Sequence, residues 1–192
     1  MIQTPPSPGA PSIPDPLEPD AFRDLLGDGR LGQLYDYWES KRPPGGLPAR
    51  KAIEPSELTR LLPWIYLLEP VEGDVKVRLA GTRIRELFDR ELTGQGLVGA
   101  LPTPWSDNAA RSYATVVGQK RGWLTVVESR LHDGRILPYR RLSLPLSSDG
   151  VVVDRVLGGV DWDEWLVGSR NFFEVYDEAV SRKRREACCR FL

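Results

Sequence analysis

The chain has 192 residues, room for one domain with extensions, and its 41% hydrophobic and 28% charged content is that of a globular protein with a real core. A net charge of −1 gives no electrostatic reason to seek nucleic acid or an anionic membrane. No apolar run reaches the roughly 20 residues that span a bilayer, and MIQTPPSPGAPSIPDPLEPD lacks both regions of a secretory signal, so the cytoplasm is the expected location.

Seven of the seventeen prolines fall before residue 20, which predicts an extended or disordered tail over residues 1–28. A helical extension is expected over 29–64. Leu31, Leu34, Tyr35 and Trp38 stand at i, i+3, i+4 and i+7, the stripe of an amphipathic helix over 31–41. It stops at Pro43-Pro44-Gly45-Gly46, and Pro55 opens a short helical turn that Pro63 closes.

From Ile65 the period changes. IYLLE (65–69) and the alternating VKVRL (75–79), joined by Glu72-Gly73-Asp74, predict an antiparallel hairpin. Gly81 then breaks the strand, and Thr82 is placed to cap a short helix with Ile84, Leu87, Phe88 and Leu92 underneath and Gly94 at its end. Arg85/Asp89 and Glu86/Arg90 stand at i, i+4 on its outer face. After a Pro-rich passage a second helix is expected from Asn108 to about Lys120.

GWLTVVESRL, ILPYRRLSLPL and VVVDRVLGGV read as three consecutive strands between the turns HDGR and SSDG. Pro138 and Pro145 predict that the middle strand is interrupted or has one unpaired side. The segment 166–192 is expected to hold a C-terminal helix, over 171–185, and a basic tail. Asn171 with Glu174 approximates a capping box, Phe172, Val175, Tyr176 and Ala179 make a stripe, and SRKRRE reads as a solvated last turn. Cys188 and Cys189 are adjacent, so they cannot staple distant segments.

The order is strand, strand, short helix, loop, helix, three-stranded meander. In that order, and in the stretches LYDYWESKRPPGGLPARKAIEPSEL, LLPWIYLLE, VRLAGTRIRELFDRELTG, YRRLSLPLSSDG and VDRVLGGVDW, the chain resembles a PAS domain over about residues 31–165. It is similar in particular to a PAS-type family of small single-domain alphaproteobacterial proteins long regarded as a domain of unknown function. The resemblance implies an α+β fold: a five-stranded antiparallel sheet, its core at 65–165, with short helices over one face and a pocket between. It also implies a sensor or interaction module rather than an enzyme, although fold alone does not fix function.

No cofactor is expected. A flavin photosensor of this fold needs a domain cysteine in an asparagine-cysteine-arginine motif, a covalent chromophore needs a domain cysteine too, and haem sensing usually needs a pocket histidine. Both cysteines lie outside the core and His132 sits in the turn LHDGR, which disfavours flavin, covalent chromophore and haem alike. Asp161, Asp163 and Glu164 lack the spacing of a calcium loop, so no metal is expected. No catalytic residue is expected either, since one turn histidine leaves no Ser-His-Asp arrangement and no G-x-S-x-G or P-loop occurs.

What remains is the cleft, with expected walls at Leu79, Leu87, Phe88, Leu97, Leu101, Trp105, Tyr113, Val116, Trp123, Leu142 and Leu144. Trp105 is expected on the loop that closes the pocket. Such walls describe a ligand site and a packed core equally well. The leading expectation is a regulatory module that homodimerises or binds a protein partner through Leu31, Leu34, Tyr35 and Trp38 and through Phe172 and Tyr176. The alternative is a sensor with a small-molecule ligand in the cleft, and a small hydrolase is a remote third. No nucleic-acid or membrane partner is expected.

Overall fold

The structure, a computed structural model, describes residues 13–97, 105–162 and 181–191. In chain order these form β1 (Pro16–Leu17), α1 (Pro19–Leu26), α2 (Arg30–Ser40), 3₁₀ turns at Arg50–Ala52, Pro55–Leu58 and Leu62–Trp64, β2 (Ile65–Val71), β3 (Asp74–Ala80), α3 (Thr82–Phe88), α4 (Trp105–Gln119), β4 (Arg121–Arg130), β5 (Ile136–Leu146), β6 (Arg155–Trp162) and β7 (Ser181–Arg190). The sheet runs β1-β7-β4-β5-β6-β2-β3. Its β3-β2-β6-β5-β4 portion is the five-stranded antiparallel core that the resemblance implies.

Two strands extend that core to seven. β7 pairs antiparallel with all of β4, from Arg121↔Arg190 to Arg130↔Ser181, and β1 pairs parallel with Cys188 and Cys189 of β7. The end of the expected C-terminal helix is therefore corrected: from Ser181 the chain is a strand, and SRKRRE is part of it, while the start of that helix lies outside the described residues. Phe172 and Tyr176 lie outside the described residues.

The tail is corrected too. Pro19 is tolerated because the first turn of a helix has no use for its missing N–H. Phe22 and Leu26, one turn apart in α1, are both buried. With Leu31, Leu34, Tyr35 and Trp38 of α2 they cover the face of the sheet opposite α4. Trp38 Nε1 donates to the carbonyl of Pro145 on β5 at 3.0 Å, its ring packs 4.5 Å from that of Phe191, and Phe22 lies 5.9 Å from Tyr35. Helices thus cover both faces rather than one.

Turn chemistry is where the sequence placed it. Gly73, Gly134 and Gly150 take φ of +74°, +85° and +76° at the three hairpin turns. Asp149 accepts from the N–H groups of Val151 and Val152, at 2.8 Å each. β5 runs unbroken through both prolines. Pro138 lies one residue before the ladder to β6 begins, and Pro145 lies beyond the end of the ladder to β4, so each needs no N–H toward its missing neighbour.

α3 is shorter than expected. It ends at Phe88, with Asp89 as a left-handed cap at φ 49°, and Gly94 instead donates its N–H to the carbonyl of Val77 across the edge of β3. Ion pairs here include Arg83–Glu86 and Arg85–Glu91, both at 2.9 Å. Gly81 precedes the helix because a Cβ there would collide with the carbonyl oxygens of Leu62 and Pro63.

Candidate ligand cleft

Side-chain parity decides what faces α4. On β5, Tyr139, Arg141 and Ser143 alternate with Leu142 and Leu144. Leu142 pairs with Gly159, whose missing side chain would meet Leu31 and Leu34 of α2. Leu142 and Leu144 are therefore corrected from cleft walls to the floor beneath α2, and the polar set of the same strand faces the cleft. Trp123 pairs with Ser143 and so lies on the cleft side, fully buried.

Three cavities lie in line between the sheet and α3/α4. The middle one, about 50 Å³, is lined by Tyr66, Phe88, Leu97, Tyr113, Tyr139 and Arg141 among others. A second, also about 50 Å³, shares Tyr139 and Arg141 with it and adds Asn108, Thr125, Val127, Arg182 and Arg184. The third, about 350 Å³, shares Tyr113 and opens between α4 and the tip of the β2–β3 hairpin. Three side chains therefore partition one cleft.

Phe88, Leu97 and Tyr113 stand where the sequence put them, on the cavity wall. Leu87 and Val116 are buried without reaching a cavity. Leu79 is a correction: the β2–β3 register shifts between Leu67 and Leu68, the alternation slips, and Leu79 turns outward at 38% exposure while Ala80 takes the wall. Leu101 lies outside the described residues. Trp105 opens α4 instead of lying on a loop. Leu31, Leu34, Tyr35 and Trp38, expected at an interface, are spent on the chain's own sheet.

The polar groups of the cleft were not foreseen. Tyr66, fully enclosed, donates to the carbonyl of Leu142 at 2.8 Å and shares a 2.7 Å hydrogen bond with Ser143 Oγ. Burial drives its phenol well above the ordinary value, so it stays neutral. Burial raises Tyr139 in the same way. Arg141, 9% exposed, donates from Nη2 to Ser112 Oγ at 2.7 Å and lies 5.0 Å over the ring of Tyr113. Burial works against its charge and the surrounding phenols of Tyr113, Tyr66 and Tyr139 work for it, which leaves the guanidinium firmly protonated. The alternation in YRRLSLPL carried this signal, since Arg141 shares a face with Tyr139 and Ser143. The cavity-lining residues include neither cysteine nor histidine; His132 is exposed in the β4–β5 turn, and both cysteines lie buried on β7. Among the described residues no cluster of three metal-ligating side chains occurs, and no helix is long and apolar enough to cross a membrane.

A seven-stranded sheet with a helix-roofed cleft above its five-stranded core is a PAS architecture, and a family model described as a PAS domain matches residues 29–160. The chain belongs to the PAS domain family. Among solved structures it is similar to one titled "Structure of an RNA-binding Light-Oxygen-Voltage Receptor", at 17% identity and a TM-score of 0.39, over 69% of this chain and 38% of that one. None of the curated proteins matches. α1, β1 and β7 fall outside the residues that the family model spans.

Proposed function

We propose that this regulatory PAS module is a sensor whose small-molecule ligand occupies the cleft beneath α4. The observation that carries the reading is the line of three cavities walled by Tyr113, Tyr139 and Arg141, apolar except where buried polar groups converge. Three adjoining, half-open spaces that share these side chains as walls make a site that a ligand could unite.

The competing reading, contact with a partner or a second copy through α2, loses the residues that recommended it, because that stripe covers the sheet. Large exposed hydrophobic residues remain, such as Leu25, Ile136, Val151 and Val152, and single ones of this kind are ordinary on a protein surface. Native mass spectrometry of freshly purified protein, beside its denatured mass, tests the choice. A bound mass that leaves on denaturation is expected. A bare dimer would return the function to protein contact, and a bare monomer that no metabolite stabilises would remove the sensor reading.

A further inference from the structure

Resting on the sensor reading, we infer that the ligand is a small anion, a carboxylate or a phosphate, held by Arg141, Arg184 and Thr125 in the cavity between α4 and strands β4, β5 and β7. The argument begins with register. Thr125 of β4 is the partner of both Arg141 on β5 and Glu186 on β7, so those three side chains stand in one row on the cleft face. Val127, Tyr139 and Arg184 make the next row.

Charge in these rows does not balance among the described residues. Glu186, its side chain 9% exposed, is taken twice: Arg111 Nη2 donates to Oε2 at 2.7 Å and Arg184 Nη2 to Oε1 at 2.5 Å. Arg141 makes no ion pair among the described residues; its one hydrogen bond there goes to a neutral hydroxyl. Two guanidinium groups thus converge on Glu186, and a third, Arg141, stands in the same row as that carboxylate without an ion pair among the described residues. Burial lowers Arg184 below its ordinary value against the pull of Glu186, and the neighbouring charges of Arg141 and Arg111 add to that lowering.

Donors are left over as well. Arg141 Nε, Arg184 Nε and Thr125 Oγ1 are buried with no hydrogen-bond partner, and the residues that carry them all line the same cavity. A buried polar group without a partner is costly, and a buried charge without a counter-charge more so. An anion of a few heavy atoms would answer both, since guanidinium groups bind carboxylate and phosphate oxygens directionally. The cavity of about 50 Å³ suits a small group of this kind, and its shared wall with the middle cavity leaves room for an apolar tail. β7, which brings Arg184 and Glu186, lies beyond the residues matched by the family model, so the site is built by this chain's own extension of the fold.

Thermal unfolding of the full chain in sodium phosphate and in sodium acetate, against sodium chloride at matched ionic strength, tests the inference. At about 10 mM anion and a millimolar Kd, linkage predicts a rise in Tm of about 3 °C over chloride for at least one of the two. Phosphate alone or acetate alone tells the two chemistries apart. Arg141→Met should abolish the rise. Arg184→Met and Thr125→Val, which touch the same cavity from other strands, should each reduce it, and they carry the test if Arg141→Met does not fold. An equal response to all three salts, or a rise that survives all three substitutions, overturns the anion. A neutral molecule found bound by native mass spectrometry would overturn it too while leaving the sensor reading intact; bare protein with no anion response would end both.

Discussion

Gly158 and Tyr66 show how closely the cleft is fitted. A Cβ on Gly158 would fall within the Tyr66 ring, whose hydroxyl is committed to Leu142 and Ser143 on the neighbouring strand. Gly158→Ala should cost about 1–3 kcal/mol by overpacking. Tyr66→Phe should cost about 1–2 kcal/mol for the lost hydroxyl. Both would be read as lower urea midpoints at unchanged slope. Because the two residues touch, the double variant should cost less than the sum. At the end of α3, the hydroxyl and N–H of Thr93, then Arg85, hold the Glu91 carboxyl down at about 2, against an ordinary 4.5. Its contribution to stability is full above about 4.5 and fades as pH falls through 2. Glu91→Gln should therefore flatten that part of the acid unfolding curve and leave the neutral region alone. On β7, burial pushes the Cys189 thiol up to about 12. Thiolate is the reactive form, so at pH 8 a disulfide reagent should titrate the native protein slowly and release both thiols only on denaturation.

Elements were legible in proportion to how far their pattern depended on themselves. α2 announced its stripe and the β4–β6 meander its Asp-Gly turns, and both are found where the sequence placed them. The element α1 was hidden by its neighbours, since Pro14, Pro16 and Pro19 speak against regular structure while Phe22 and Leu26 offer only one turn of periodicity. Phe22→Ala should nevertheless cost about 3–5 kcal/mol, measured by chemical denaturation, because the ring is wholly enclosed. β7 was illegible for a different reason. Its cleft face carries Arg182, Arg184, Glu186 and Cys188 and its other face Lys183, Arg185, Ala187 and Cys189, so no apolar alternation marks it as a strand. Of the candidate site, Phe88 and Tyr113 could be read from helix faces. Arg141 and Tyr66 could not, because apolar residues were assigned to the cleft and the parity of β5 reverses that assignment.

For the molecule as a whole, coverage of both sheet faces moves attention from surfaces to the interior. Tyr113 divides the largest cavity from the middle one, with its ring edge-on to Tyr66 at 6.4 Å. Tyr113→Ala should cost about 3–5 kcal/mol and join the two spaces. Indole should then raise the Tm of the variant by several degrees and leave the wild type unmoved; equal responses would show that Tyr113 is no partition. The pairing of β1 with β7 joins the first described strand to the last. A ribosome delivers β1 well before β7. Until residues 181–190 emerge, β4 presents a ten-residue edge with no strand beside it, and Arg184 has not reached the cavity. The nascent chain therefore passes through a stage with an open, aggregation-prone sheet margin.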